Sequence, residues 1–145
     1  MILDVGCGNF KRGDIGVDKE ALLGVDVKLD LDAMPLPFAD NSFNLVLSHH
    51  NIEHLQHPEF VIKEMLRVSN GYVRITCPHR FSEYAKITKD HRQFLNKQWF
   101  LQLAKRLNVE VNVKTTFAPM LYFGPVGLFM RPDELIVELK KKATE

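Results

Sequence analysis

Residues 6–14 are all that separates two short apolar runs at the start of this chain, Met1–Val5 and Ile15–Val17. A third run, Val25–Leu29, follows almost at once. Parallel neighbours in a sheet ordinarily need a connection of about a dozen residues or more, whereas antiparallel neighbours need only a tight turn. The opening therefore admits two architectures: a parallel sheet whose first crossovers have shrunk to about a turn, or a set of hairpins. Phe43–Ser48, Gly71–Cys77 and Val109–Phe117 read as further strands, and Leu121–Phe129 as a seventh interrupted by Gly124, Pro125 and Gly127. Helical patterns lie among them. Pro58 suits a first helical position, with Val61, Met65 and Val68 on one face and Asn70-Gly71 as the stop. Asn96 suits a cap before Trp99, Phe100, Leu103 and Leu107. A last helix is expected to open at Pro132 and close on Lys140, Lys141 and Lys142. Strands alternating with helices favour a mostly parallel sheet of six or seven strands with helices on both faces.

The 145 residues are read as a single domain, 1–145, with 46% apolar and 26% charged residues. A net charge of +1 points to no nucleic-acid or acidic-membrane partner. No apolar run approaches the length of a membrane span, and MILDVGCG lacks the basic and long apolar regions of a signal peptide. Cys7 and Cys77 are too few for a disulfide framework or a four-thiolate zinc site and read as small buried hydrophobes. A cytoplasmic location is expected.

Asp4-Val5-Gly6-Cys7-Gly8-Asn9 follows the first strand directly. Two glycines there allow a sharp turn and let a ligand lie against bare main chain. The dinucleotide pattern G-x-G-x-x-G is not completed, because Lys11 holds its third position. Asp18 also arrives sooner than the acid of that fingerprint, and there is almost no room for a phosphate-binding helix. A nucleotide-cofactor oxidoreductase is therefore the third-ranked reading.

Several segments in order resemble the class I S-adenosylmethionine-dependent methyltransferases, in particular small type-11 relatives with a shortened first crossover. ILDVGCG is similar to the family's first motif, and Gly16-Val17-Asp18 to its second-strand acid. Residues 32–44 resemble D-x-x-x-L-P-F-x-D-x-S-F-D, with Asn44 in place of the final acid, and Glu64–Val68 (EMLRV) matches a familiar helix end. The resemblance covers Met1 to about Phe100. It implies a Rossmann-like fold and S-adenosylmethionine as cofactor. It assigns the methionyl end to the backbone of Gly6 and Gly8, with Asp4 near the amino-acid end and Lys11 or Arg12 as partners for its carboxylate. Asp18 would take the ribose hydroxyls, Asp32 and the N–H of Ala33 the adenine edge, and Ser48 and His49 would face the cofactor from strand four. Two ribose hydroxyls suit a carboxylate acceptor, since bonds to a charged group are worth roughly 1.5–3 kcal/mol.

The activity implied is methyl transfer to an unidentified acceptor, with a small molecule favoured over a macromolecule. A sulfonium carries its own leaving group, so no fixed triad is expected. The N/D-P-P-Y motif of several amino-methylating relatives is absent. Pro78–Phe94 forms a polar connection at the sheet's carboxyl edge, where open parallel sheets place ligands. It offers His79 and His91 as acid–base candidates and Tyr84 and Arg92 as substrate-side candidates. The stretch Ser48–His57 (SHHNIEHLQH) contains a literal H-x-x-E-H zinc pattern, but it starts in a turn after a strand. No metal ligands are assigned beyond adventitious binding by His50, His54 and His57. The alternative function is a non-catalytic methyltransferase-fold module that binds or regulates a partner. Its motivation is the absent amino-terminal helix and the apolar segment Met120–Met130, which reads as a buried strand or a homo-oligomer interface.

Overall fold

A computed structural model describes residues 1–82, 91–93, 95–120 and 129–142. Its strands are β1 (Ile2–Val5), β2 (Ile15–Asp18), β3 (Val27–Lys28), β4 (Phe43–His49), β5 (Ser69–Pro78), β6 (Val109–Met120) and β7 (Phe129–Lys141). Helices α1 (Pro58–Val68) and α2 (Lys97–Leu107) and a 3₁₀ turn at Ile52–His54 complete the described elements. The strands form one seven-stranded sheet in the order β3-β2-β1-β4-β5-β7-β6. No described helix is long and apolar enough to cross a membrane.

The hairpin alternative is excluded, because β1 pairs in parallel with β2 and with β4, and β2 with β3. Short strands make this possible. A four-residue strand is about 13 Å long, and an extended link the length of residues 6–14 reaches about 30 Å. The return path therefore fits without a helix. The link itself covers β1: a Cβ on Gly13 would stand 2.8 Å from the carbonyl oxygen of Ile2, so only glycine lies this flat on the strand. Asp26 ties the next link down, accepting from Gly16 N and Lys11 Nζ at 2.7 Å each.

The apolar strand positions face one side. Val73, Ile75 and Cys77 of β5 and Leu135, Val137 and Leu139 of β7 are fully buried. They pack in one cluster with Val61, Ile62 and Met65 of α1 and Phe100 and Leu103 of α2. Glu59 of α1 and Arg106 of α2 meet at 2.9 Å, so the two described helices are neighbours on that side. Helices were expected on both faces; the two described α-helices lie on this one. The opposite face carries Arg74, paired with Glu138 at 2.7 Å, and Tyr72 at half exposure. Pro58 and Asn96 start their helices as expected, and Asn96 Oδ1 accepts from Trp99 N at 2.9 Å.

One element differs in kind. Residues 132–141 form most of β7 and not a helix. Leu135, Val137 and Leu139 alternate with half-buried Ile136 and Glu138, and this two-residue period prevails over the proline and lysine end signals. Pro132 sits opposite Phe117, beside the register shift between Thr115 and Phe117, where a strand tolerates proline. The expected strand at Leu121–Phe129 falls outside the described residues apart from its last position. So does most of the apolar segment Met120–Met130. Cys7 and Cys77 are buried free thiols. Two of the recognised motifs prove to be one device: Arg67 of α1 reaches the carbonyls of Leu36 and Phe38 and the carboxylate of Asp40 at 2.7–2.9 Å. Glu64 completes it by accepting from Leu36 N and from Arg67.

Candidate functional site

From β1 the chain passes to one side of the sheet, and from β4 to the other. Between the carboxyl ends of these two strands lies the crevice where open α/β sheets bind ligands. The glycine turn forms one lip. Gly6 and Gly8 have φ of 74° and 55°, in the left-handed region that favours glycine. Gly6 N donates to Val17 O at 2.8 Å, which carries the turn back against β2. The other lip is Asn51, whose side chain occupies the place a Cβ on Gly6 would need. A Cβ on Gly8 would meet nothing within 4 Å. That stretch of backbone therefore faces open space.

Two acids brace this turn. Asp18 Oδ2 accepts from Gly8 N at 2.9 Å, and Oδ1 accepts from Glu20 N at 3.1 Å. Asp4 is fully buried, and its Oδ2 accepts from Arg12 N at 2.7 Å. Its Oδ1 has no hydrogen-bond partner among the described residues. Burial pushes the Asp4 carboxyl above the ordinary carboxylate range, against the opposing pull of the Arg12 backbone bond and charge. A buried carboxylate oxygen in this position suits a cationic or hydrogen-bond-donating ligand group.

A cavity of about 200 Å³ opens beside the turn, lined in part by Asp18, Asp32, Asn51, His54 and Arg92. The sequence candidates Asp18, Asp32 and Arg92 are thus brought together. Asp32 also does structural work, since its carboxylate accepts from Gln56 N and His57 N at 2.9–3.1 Å. The Ala33 N–H is engaged in a local turn to Asp30 O at 3.2 Å, whereas its residue lines a wider hollow of about 740 Å³ that shares Asp32 and Gln56. The smaller cavity is the better candidate, because it alone adjoins the glycine turn.

Other expected residues stand elsewhere. The Ser48 hydroxyl is buried and donates to Val5 O at 2.8 Å, stitching β4 to β1. His49 lines a separate hollow with Arg12, Leu47, Arg74 and Thr76, on the face opposite the two described helices. Lys11 is held by Asp26. His91 is buried with its ring 4.8 Å from that of His54, so it does not stand in an open mouth. His79 lies at the carboxyl edge of β5, its N–H donating to Asp133 O at 2.8 Å. Burial, reinforced by Arg80, holds its imidazole below the usual histidine range. Tyr84 and most of the expected substrate mouth fall outside the described residues.

The stretch Ser48–His57 behaves unlike a helical zinc motif. His50 has φ of 50° and precedes the 3₁₀ turn, so His50 and His54 are not stacked on one helix face. The His50 ring reaches Glu134 Oε1 through Nε2 at 2.7 Å and Glu53 Oε1 through Nδ1 at 3.4 Å. Glu53 first, and Glu134 after it, raise the His50 pKa against the effect of burial. His50, Pro78, Asp133 and Glu134 line a cavity of about 400 Å³ at the same sheet edge. Asn51 and Glu134 were not singled out in the sequence. Asn51 sits in the histidine-rich stretch but carries no signal of its own, and Glu134 was hidden by the helix reading.

Residues 15–75 match the family model described as methyltransferase domain. Ajmaline N-methyltransferase of Rauvolfia serpentina is 46% identical over 103 aligned residues, covering 54% of this chain and 35% of that protein. Norajmaline N-methyltransferase of the same organism is 44% identical over 55 residues, covering 37% and 19%. The chain thus spans about a third or less of the length of these curated relatives. Among solved structures, a SAM-dependent methyltransferase of Thermotoga maritima superposes with a TM-score of 0.73 at 22% identity, over 97% of this chain and 82% of that one. At that identity the likeness is one of fold.

Proposed function

We infer that this chain, which belongs to the class I S-adenosylmethionine-dependent methyltransferase family, transfers a methyl group to a small-molecule acceptor. The observation that carries the reading is the fully buried Asp4 Oδ1 near the end of β1, without a hydrogen-bond partner among the described residues, followed in the next turn by the bare backbone of Gly8. This is a cradle with an unmet acceptor, and it fits the amino end of the cofactor. Asp18 would hold the ribose hydroxyls with lone pairs left over from its two backbone bonds, and Asp32 and Arg92 would close the far wall. Asn51, pressed on Gly6, orders the lip against which the ligand lies. The cofactor supplies an activated methyl group on a sulfonium that is its own leaving group.

What remains for the protein is to place the acceptor in line and hold its proton. The 400 Å³ cavity at His50 and Glu134 is the proposed acceptor site, and His79 stands at its margin through Asp133. A histidine held below its usual range is neutral near pH 7 and can accept a proton there. Buried His91 is assigned no such role. The acceptor atom is proposed to be nitrogen, which is what the two Rauvolfia relatives methylate by name.

Titration calorimetry with S-adenosylhomocysteine tests the reading. The wild-type chain should bind it, and Asp18→Ala should weaken binding about ten- to hundred-fold. Binding of NAD with no response to either methyl-cofactor form would refute the reading. Cofactor binding without turnover across a broad acceptor panel would favour the regulatory alternative.

A further inference from the structure

Glu53 is 2% exposed, and neither of its carboxylate oxygens has a hydrogen-bond partner among the described residues. His50 Nδ1 stands 3.4 Å from its Oε1. A carboxylate withdrawn from water to this degree is unstable without a cation close by. Two further donors stand beside it. One oxygen of Glu53, one ring nitrogen of His54 and one of His91 all lie within 4.8 Å of one another. The main chain keeps them there: Arg92 N and Gln93 N both donate to Glu53 O, at 2.8 and 3.0 Å, and Gln93 Nε2 donates to Leu55 O at 3.3 Å. His91 is therefore hung from the residue whose carboxylate it faces.

We propose that Glu53, His54 and His91 bind one divalent ion of the zinc class. Two imidazoles with one carboxylate suit a late first-row divalent ion and not magnesium or calcium, which take oxygen ligands. Zinc bonds of about 2.0–2.1 Å put tetrahedral donors roughly 3.3 Å apart, so the three groups close up by no more than about 1.5 Å. Water completes the coordination. The site shares Glu53 and His54 with the H-x-x-E-H pattern but takes its third ligand from His91, not from His50, which turns to Glu134. Its role is structural. The ion ties the 3₁₀ turn to residues 91–93, and with them His54 and Arg92 in the wall of the cavity that holds Asp18 and Asp32.

The experiment uses the full chain, stripped with a chelator and titrated with zinc chloride by calorimetry, with cobalt(II) absorption as a parallel measurement. The expected result is one zinc per chain and a rise in melting temperature. Glu53→Gln and His91→Ala should each weaken zinc at least about ten-fold, and His57→Ala should leave it unchanged. Equal affinity in all three variants would mean an adventitious ion only and would overturn the proposal. Should the Glu53 or His91 variant fail to fold, the wild-type chain still decides. Cobalt at one equivalent must give ligand-field bands of a low-symmetry nitrogen–oxygen site, and their absence overturns the assignment. None of these readouts depends on methyl transfer.

Discussion

The two faces of the sheet are built on different terms, and β5 shows both within neighbouring residues. Val73, Ile75 and Cys77 point into the helical layer and are fully buried, while Tyr72 stands half exposed on the other side and the Arg74 side chain is 52% exposed. On the helical side, apolar residues from five strands join α1 and α2 in one cluster. On the other side, the sheet presents charge and hydroxyl groups to water, and over β1 lies a plain link with Gly13, the shortened crossover that the sequence suggests. An antiparallel or mixed sheet can present one face to water if its outward positions are polar. The crevice survives this economy because it lies on the edge common to both faces, at the ends of β1 and β4. Shortening the crossovers removes covering material without removing the glycine turn.

The sharpest way to break the contrast is to truncate the covered face. Ile75→Ala should destabilise the protein by about 2–5 kcal/mol in urea unfolding, through lost burial and a cavity the layer cannot close. Arg67→Ala comes next, at about 1–3 kcal/mol, because it releases two carbonyls and two carboxylates from the clamp on residues 36–40. Its partner Glu64 is held below the ordinary carboxyl range, chiefly by Arg67. A depressed folded value stabilises the native state above the unfolded value and loses that contribution as pH falls through the folded one. Unfolding curves should therefore show the clamp's contribution intact above about pH 4.3 and fading below it, with no such fading in Arg67→Ala. The smallest effect belongs to the bare face. Arg74→Ala should change stability by no more than about 0.5 kcal/mol, since its pair with Glu138 is exposed and screened. A loss at Arg74 as large as that at Ile75 would mean that this face is covered in solution.

Much of this was legible from the chain, for identifiable reasons. The early strands, the glycine turn and Asp18 could be read because each depends on local chemistry: an apolar run, a backbone conformation, an acid at a strand end. The helix starts marked by Pro58 and Asn96 are equally local. Residues 132–142 misled because proline, acids and lysines mark a helix as readily as they flank an alternating strand. Only pairing with β5 and β6 decides between the two. Ser48 and His49 were placed correctly along β4, but which way each side chain points depends on the neighbours of that strand. The histidines were the least legible of all. Nothing local tells that His50 will reach Glu134, or that His91 will lie against His54, because these meetings join segments far apart in sequence.

β7 has an implication for the order of assembly. It comes last in the described chain yet lies inside the sheet, paired with β5 along one side and β6 along the other. Among the described strands, β6 has no hydrogen-bonded neighbour except β7. A nascent chain can thus close β3-β2-β1-β4-β5 while β6, already synthesised, waits with both of its edges unpaired. Among the described strands, β7 is the keystone that joins an earlier arch to its outer stone.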